Sequence, residues 1–419
     1  MKRYARFTVA LGLSLLVVAM LGACATTPTP TPPAEKTKIV IVHLTDLTGP
    51  YSGTLVHSDK SMHDYVEWTN DNNIIPGAEL VARSYNTEMV PANFVTAYKK
   101  AMSETPQPVI VLPTGTTGVL AVKELCARDK VPIFYTVANE QVQTEGSWCF
   151  GWYPRNDGTI MGLLDYFLEN QWDESRPPRF AYATWDNPYG RSIVTDGAID
   201  YMKSRGVEFM GEVYIPQVPS DTMPLALQLK DWDVDVAGGF AFASSYQVFV
   251  KDLDRAGIRD QITLLTGCDL VLGQLREFVG PLADGVLHAD ININHSSEWP
   301  QYWQDKFFAD GGEEKDAMAY NYGLALASGA VEVLRIAAED VGAENIDGQV
   351  CYDTCFNEIK DFYGYFTVPN TFGDTSHSGH GLISMDYVRV LTLEDGEITN
   401  LEDLQYCPDV WPGGKDVVK

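Results

Sequence analysis

Residues 108–140 read PVIVLPTGTTGVLAVKELCARDKVPIFYTVANE. The run at 109–112 is wholly apolar and fits a buried strand; Pro113-Thr114-Gly115-Thr116-Thr117-Gly118 follows as a small-residue loop. Val119, Val122, Leu125 and Cys126 then recur at helical spacing, and residues 131–135 form a second apolar strand. Strand, loop, helix and strand together make a βαβ unit of a parallel sheet. In such sheets ligands sit beyond the carboxyl ends of the strands, where free N–H groups at a helix start and short hydroxyls hold an anion. Thr116, Thr117, Val137 and Asn139 occupy those two strand ends.

The same alternation extends in both directions. Upstream, residues 38–44 and 80–85 read as strands. A helix between them carries Met62, Tyr65, Val66 and Thr69 on one face, and the helix from Pro91 carries Phe94, Val95, Tyr98, Ala101 and Met102. Downstream, after a strand near 148–153, a helix with Ile160, Leu163, Leu164, Phe167 and Leu168 leads into a second series. Its strands are expected at 179–185, 207–215, 234–240, 262–266 and 285–289, with helices starting near Tyr189, Pro224, Ser245 and Leu270. Repeated βα units mean mostly parallel sheets covered on both faces. The fold class is α/β with two doubly wound lobes joined by crossing strands. The first crossing is near 151–156, the second near 290–295, and the third near Phe362-Tyr363-Gly364-Tyr365-Phe366, an aromatic run that reads as hinge packing. The lobes are residues 38–152 plus 291–364, and 153–290 plus 365–419.

The start of the chain is a delivery segment. Lys2, Arg3 and Arg6 precede an apolar run at 7–20 that is short for a membrane span, and Leu21-Gly22-Ala23-Cys24 ends it. That box resembles the bacterial lipoprotein signal, so residues 1–23 read as a signal peptide and Cys24 as the lipid attachment point. Residues 24–37, centred on TPTPTPP, have nothing to bury and read as an extended tether. The formal charge of −27 becomes about −30 without the three basic leader residues, which disfavours nucleic acid and anionic surfaces as partners. Of seven cysteines, six remain beyond Cys24, in an export compartment where disulfides are permitted but not required. Cys126 and Cys149 are placed so that they could pair; Cys351 and Cys355, on one helical face, are poorly placed to pair with each other.

Four further motifs carry a family resemblance. They are Leu47-Thr48-Gly49-Pro50 after the first strand, Asn72-Asn73-Ile74-Ile75-Pro76-Gly77 before the second, Pro188-Tyr189-Gly190 opening a helix, and Asp254-Arg255-Ala256-Gly257 before a strand. In this order and spacing, from Lys38 to about Glu397, the chain resembles the solute-binding proteins of branched-chain amino acid ABC transporters, which are type I periplasmic binding proteins. The resemblance implies a clamshell that closes over a small solute and docks on a membrane permease. It implies that Thr116 and Thr117 hold the solute carboxylate together with groups at Val137 and Asn139. Tyr189 and Phe242 are implied as second-lobe aromatic contacts, and Asp269 as the partner of the solute ammonium. Thr for the usual Ser keeps the donor; Asp for the usual Glu shortens the acidic arm; Phe242 for Tyr removes a polar contact. No cofactor is implied.

Each of these residues has a second reading. Thr116 and Thr117 also suit helix capping, and Asp269 suits an N-cap for the helix at 271–279. Tyr189 suits packing of its turn, and Trp152 and Trp185 suit either core packing or stacking on a solute. His377 and His380 lie in a Gly/Ser/Thr-rich loop that reads as surface rather than metal site. His57, His63, His288 and His295 lack ligand spacing. No nucleophile elbow, phosphate loop or dinucleotide fingerprint is present, so a binder is favoured over an enzyme such as an exported hydrolase. An amide, urea-like compound, aromatic acid or short peptide is the alternative solute, for transport or signalling.

Overall fold

The structure, a computed structural model, describes residues 35–135, 139, 141–142, 147–151, 154–173, 175–267, 270–290, 296–357, 361–362, 370–371, 387–410 and 416. Strand β1 (Thr37–Thr45) is an interior strand of the first sheet, and from Ile39 onward every residue of it is buried. Burial on both faces is why the segment reads as an unbroken apolar run rather than an alternation. It pairs in parallel with β2 (Ala78–Asn86) and β3 (Pro108–Pro113), and β4 (Ile133–Tyr135) and β5 (Cys149–Gly151) extend the sheet in the order β2-β1-β3-β4-β5. Helices α1 (Ser52–Asp71), α2 (Pro91–Ser103) and α3 (Gly115–Asp129) cover it.

The second sheet takes β6 (Arg179–Trp185), β7 (Glu208–Ile215), β8 (Val236–Gly238), β9 (Thr263–Gly267) and β10 (Leu287–Asp290), all parallel. Around it run α4 (Asn156–Asn170), α5 (Pro188–Arg191), α6 (Asp196–Ser204), α7 (Met223–Asp231), α8 (Ala243–Arg255) and α9 (Leu272–Val279). Helices α10 (Gln301–Ala309), α11 (Ala317–Val341) and α12 (Gly348–Asn357) come next, and β11 (Asp361–Phe362) and β12 (Asn370–Thr371) make a separate short ladder. Antiparallel β13 (Tyr387–Glu394) and β14 (Glu397–Tyr406) then complete the second sheet, whose order is β14-β13-β10-β9-β8-β6-β7. The molecule is thus two α/β lobes of mostly parallel sheet, as the alternation predicts.

Several expectations need correction. The helix of the opening stretch begins at Gly115 rather than Val119, so Thr116 and Thr117 lie in its first turn, with Thr114 as N-cap. β4 begins two residues late, because Pro132 has no N–H for a ladder and supplies only its carbonyl, to Val111 N–H at 3.1 Å. The helix expected from Tyr189 is two pieces, a four-residue turn and then α6. The Cys126–Cys149 pair is not formed: both are free thiols in the core, as are Cys351, Cys355 and Cys407. Burial raises the Cys126 thiol well above its ordinary pKa. Cys268 lies outside the described residues.

Two elements were not anticipated. The long α11 returns to the first lobe, where Tyr320 O–H donates to Asp64 on α1 at 2.6 Å. The β13–β14 hairpin turns on Asp395-Gly396, both with positive φ, the usual composition of a two-residue turn that matches strand twist.

Candidate functional site

Loops from both lobes meet at the carboxyl ends of the two sheets. After β1, the carboxylate of Asp46 accepts the N–H groups of Thr48 (3.2 Å), Gly49 (2.5 Å) and Tyr51 (2.9 Å). One buried acid therefore shapes the whole Thr-Gly-Pro motif. Gly49 is required there, since a Cβ would lie 2.7 Å from both Asp46 oxygens. The product of that loop is the position of Tyr51, which reaches the second lobe: its hydroxyl donates to Gln217 Oε1 at 2.8 Å. Its ring lies 5.0 Å from that of Trp185 and 5.1 Å from that of Phe242, which are 4.9 Å from each other. Burial and the charge of Asp46 push the Tyr51 phenol pKa upward, so it stays a neutral donor.

Trp185 ends β6, and Gly190 in the Pro-Tyr-Gly turn lets α5 lie against it; a Cβ there would stand 2.3 Å from the Trp185 carbonyl. Asn187 caps this turn, accepting the Gly190 N–H at 2.8 Å. Tyr189 stacks on Phe240 at 5.3 Å, and Phe242 is the N-cap of α8.

These groups enclose a small cavity. Tyr51, Met89, Thr114, Gly115, Thr116 and Thr117 line it from the first lobe together with Tyr322 of α11, and Trp185, Asn187, Tyr189, Gln217 and Phe242 from the second. It holds about 20 Å³, room for roughly one water, so the lobes are closed and the rings fill the cleft. Helix α3 starts at this cavity with no side-chain cap, leaving its first N–H groups and its positive dipole end for an anion.

Thr116 is fully buried, and its Oγ1 accepts from Asn139 Nδ2 at 3.1 Å, which leaves the hydroxyl proton to donate elsewhere. Asn139 is thus behind Thr116 rather than in the cavity wall. Behind Thr114 a polar chain runs from the buried His43 out to the half-exposed His63. Thr114 Oγ1 is 3.4 Å from His43 Nε2, and His43 Nδ1 is 2.7 Å from Asp59, which also accepts from Ser84 O–H at 2.5 Å. His63 closes the chain on Ser84 at 2.8 Å. Burial opposes ionisation of Asp59, but hydrogen bonds from His43 and Ser84 and the charge of His63 outweigh it and hold the carboxyl below its usual range. Burial lowers His63 as well.

A second interlobe contact lies at the rim. Gln274 of α9 accepts from Thr54 O–H at 2.8 Å and donates to the Gly53 carbonyl at 3.3 Å and to Asp316 at 2.9 Å, while Lys315 pairs with Glu277 at 3.1 Å. Beside them a pocket of about 260 Å³ is lined by His57, Ser244 and Phe278 among others.

The model of the periplasmic binding protein family matches residues 38–354. The chain belongs to the periplasmic binding protein family. No curated protein sequence matches this periplasmic binding protein. Among solved structures, it is similar to a branched-chain amino acid ABC transporter protein from Thermus thermophilus with bound valine, at 19% identity and a TM-score of 0.76, covering 88% of this chain and 96% of that one. A fatty acid ABC transporter substrate-binding protein from Thermomonospora curvata gives 14%, 0.74, and 91% and 96%. A leucine-binding protein from Thermotoga maritima gives 14%, 0.68, and 88% and 99%. At these identities the likeness is one of fold.

Of the residues singled out in sequence, the structure brings Thr116, Thr117, Tyr189 and Phe242 to one cavity. Val137, Asp269, Cys24 and the His377–His380 loop lie outside the described residues. Helix α9 has Val271 as its N-cap. Tyr51, Gln217 and Tyr322 were missed. Tyr51 adjoins the Thr-Gly-Pro motif and could have been found from it; the other two carry no local signal. Among the described residues no cluster of three metal-ligating side chains occurs, and no helix is long and apolar enough to cross a membrane.

Proposed function

We propose that this chain is the lipid-anchored solute-binding component of an ABC importer. In this reading an amino acid or amino-acid-like solute binds between the lobes, here taken as 38–152 plus 291–364 and 153–290 plus 365–419, and is delivered to a membrane permease. The observation that carries it is the closed cavity at the carboxyl ends of both sheets, where the uncapped start of α3 faces an aromatic wall from the other lobe. The first lobe binds the solute carboxylate through Thr116, Thr117 and the α3 N–H groups. Val137 and Asn139 support that end, Tyr189 and Phe242 cover the side chain, and Asp269 pairs the ammonium. Tyr51 swings out with the opening of the lobes and recloses over the solute. Contacts made only in the closed form shift the population toward it. Cys24 carries the lipid that holds the protein at the outer face of a membrane.

The test is thermal shift followed by calorimetry with branched-chain, aromatic and small polar amino acids. Solute at 100 times its Kd stabilises the native state by about 2.7 kcal/mol. Thr116→Ala is expected to weaken binding by about 1.5–3 kcal/mol, the range for a hydrogen bond to a charged group. An unchanged affinity in that variant removes Thr116 from the site. The absence of any shift across the amino acids moves the reading to the same fold binding an amide, urea-like compound, aromatic acid or short peptide, for transport or signalling.

A further inference from the structure

Several polar groups that border the cavity have a donor left over. Asn187 spends its Oδ1 on the Gly190 N–H, which leaves its Nδ2 group. Gln217 spends its Oε1 on the Tyr51 hydroxyl. Thr116 spends its oxygen on Asn139, and the start of α3 offers N–H groups only. To these the structure adds a donor that has no acceptor at all. Trp185 is 3% exposed, borders the cavity, and buries its indole Nε1–H without a hydrogen-bond partner.

A buried donor left unmatched is costly, whereas the same side chain with phenylalanine in its place has nothing to satisfy. The ring surface that packs on Tyr51 and Phe242 is available to any aromatic residue, so packing does not require the N–H. Because Trp185 lines the cavity, the occupant of the cleft can supply that acceptor. An ammonium is itself a donor and cannot supply it, and in the reading above the carboxylate is taken by Thr116, Thr117 and the α3 N–H groups, so a further carbonyl oxygen does.

We infer that Trp185 is a specificity-determining residue whose indole N–H meets a carbonyl oxygen of the solute. The solute class is then a carboxylate bearing a second, neutral hydrogen-bond acceptor, such as a 2-oxo acid or an N-acyl amino acid, rather than a plain zwitterion. The inference rests on the interlobe cavity being the solute site; it keeps the carboxylate end of the reading above and puts a neutral acceptor in place of the ammonium, and so of the Asp269 contact.

The test uses the full chain and four probes with one carbon skeleton: 4-methyl-2-oxopentanoate, N-acetyl-L-leucine, 4-methylpentanoate and L-leucine. In the native protein the 2-oxo or N-acetyl acid is expected to bind about tenfold or more tightly than 4-methylpentanoate, which lacks the second acceptor. In Trp185→Phe that preference collapses, and far-ultraviolet circular dichroism and the thermal midpoint of the variant without solute, set against the native protein, are the control for folding. A second readout needs no change of affinity. In protein labelled with ¹⁵N in its tryptophans, the indole resonance missing from Trp185→Phe moves downfield in native protein on adding the preferred acid. A preference that survives Trp185→Phe overturns the inference, as does an indole signal that stays put. Tight L-leucine binding indifferent to Trp185→Phe also overturns it, yet leaves the importer reading intact. Binding of none of the four overturns it as well, and the broader amino acid panel then decides the importer reading separately.

Discussion

Gln274 bridges the lobes outside the cavity that Thr116 and Trp185 line, so under the proposed function its removal should change closure without touching a solute contact. It is 7% exposed and makes one hydrogen bond with a hydroxyl at 2.8 Å, one to a carboxylate at 2.9 Å and a longer one to a carbonyl at 3.3 Å. Neutral hydrogen bonds contribute about 0.5–1.5 kcal/mol net and those to charged groups about 1.5–3. In Gln274→Ala the freed groups of Thr54, Gly53 and Asp316 regain water when the rim opens, so the loss to the closed form is about 2–3 kcal/mol. That is roughly a 30- to 150-fold shift of the open–closed ratio. Small-angle X-ray scattering of the protein without solute should show a larger radius of gyration in the variant. The affinity for any solute that requires closure should fall by a comparable factor, because only the closed fraction completes the site. Gln274→Glu should go further, since it sets a carboxylate against Asp316 beside Glu277. Scattering curves and affinities that match the native protein in both variants would refute the role given to this residue.

Three other outcomes are expected. The chain behind Thr114 should make stability fall on acidification: the native pKa values of His63 and Asp59 are both depressed, so each contributes stability at neutral pH. The His63 share is lost as pH drops below the unfolded value of about 6.5 and the Asp59 share below about 4. Urea unfolding across that range should show a shallower pH dependence in Asp59→Asn, and an identical slope would contradict it. Arg155→Met removes the guanidinium that pairs with Asp409 and lies 3.7 Å from Asp157, all three buried, and should cost about 3–5 kcal/mol in the same assay. Gly190→Ala forces a Cβ against the Trp185 backbone and should cost about 1–3 kcal/mol, with altered near-ultraviolet circular dichroism from the cleft aromatics.

Local chemistry carried most of the architecture into the sequence. Apolar runs such as Ile39 to Leu44 mark strands buried on both faces, and the helical spacing at Phe94, Tyr98 and Ala101 marks the face that packs on them, so two α/β series are legible residue by residue. That Thr116 and Thr117 stand where a strand ends and a helix begins was equally legible, from the small residues between two apolar patterns. The Asp395-Gly396 hairpin was also written in its turn residues, but that it joins β10 antiparallel was not, since nothing local names the partner strand. The same limit applies to the site. Asn139 stands at the expected strand end yet spends its amide on Thr116. Tyr51 gains its meaning only from Gln217, Trp185 and Phe242, and Gln274 only from Thr54 and Asp316, residues 166 and 220 positions apart for Tyr51–Gln217 and Thr54–Gln274. Sequence periodicity sets which face of each element is buried; which loop tips meet across the cleft is decided by how the two sheets are set against each other, and that is a property of the folded chain alone.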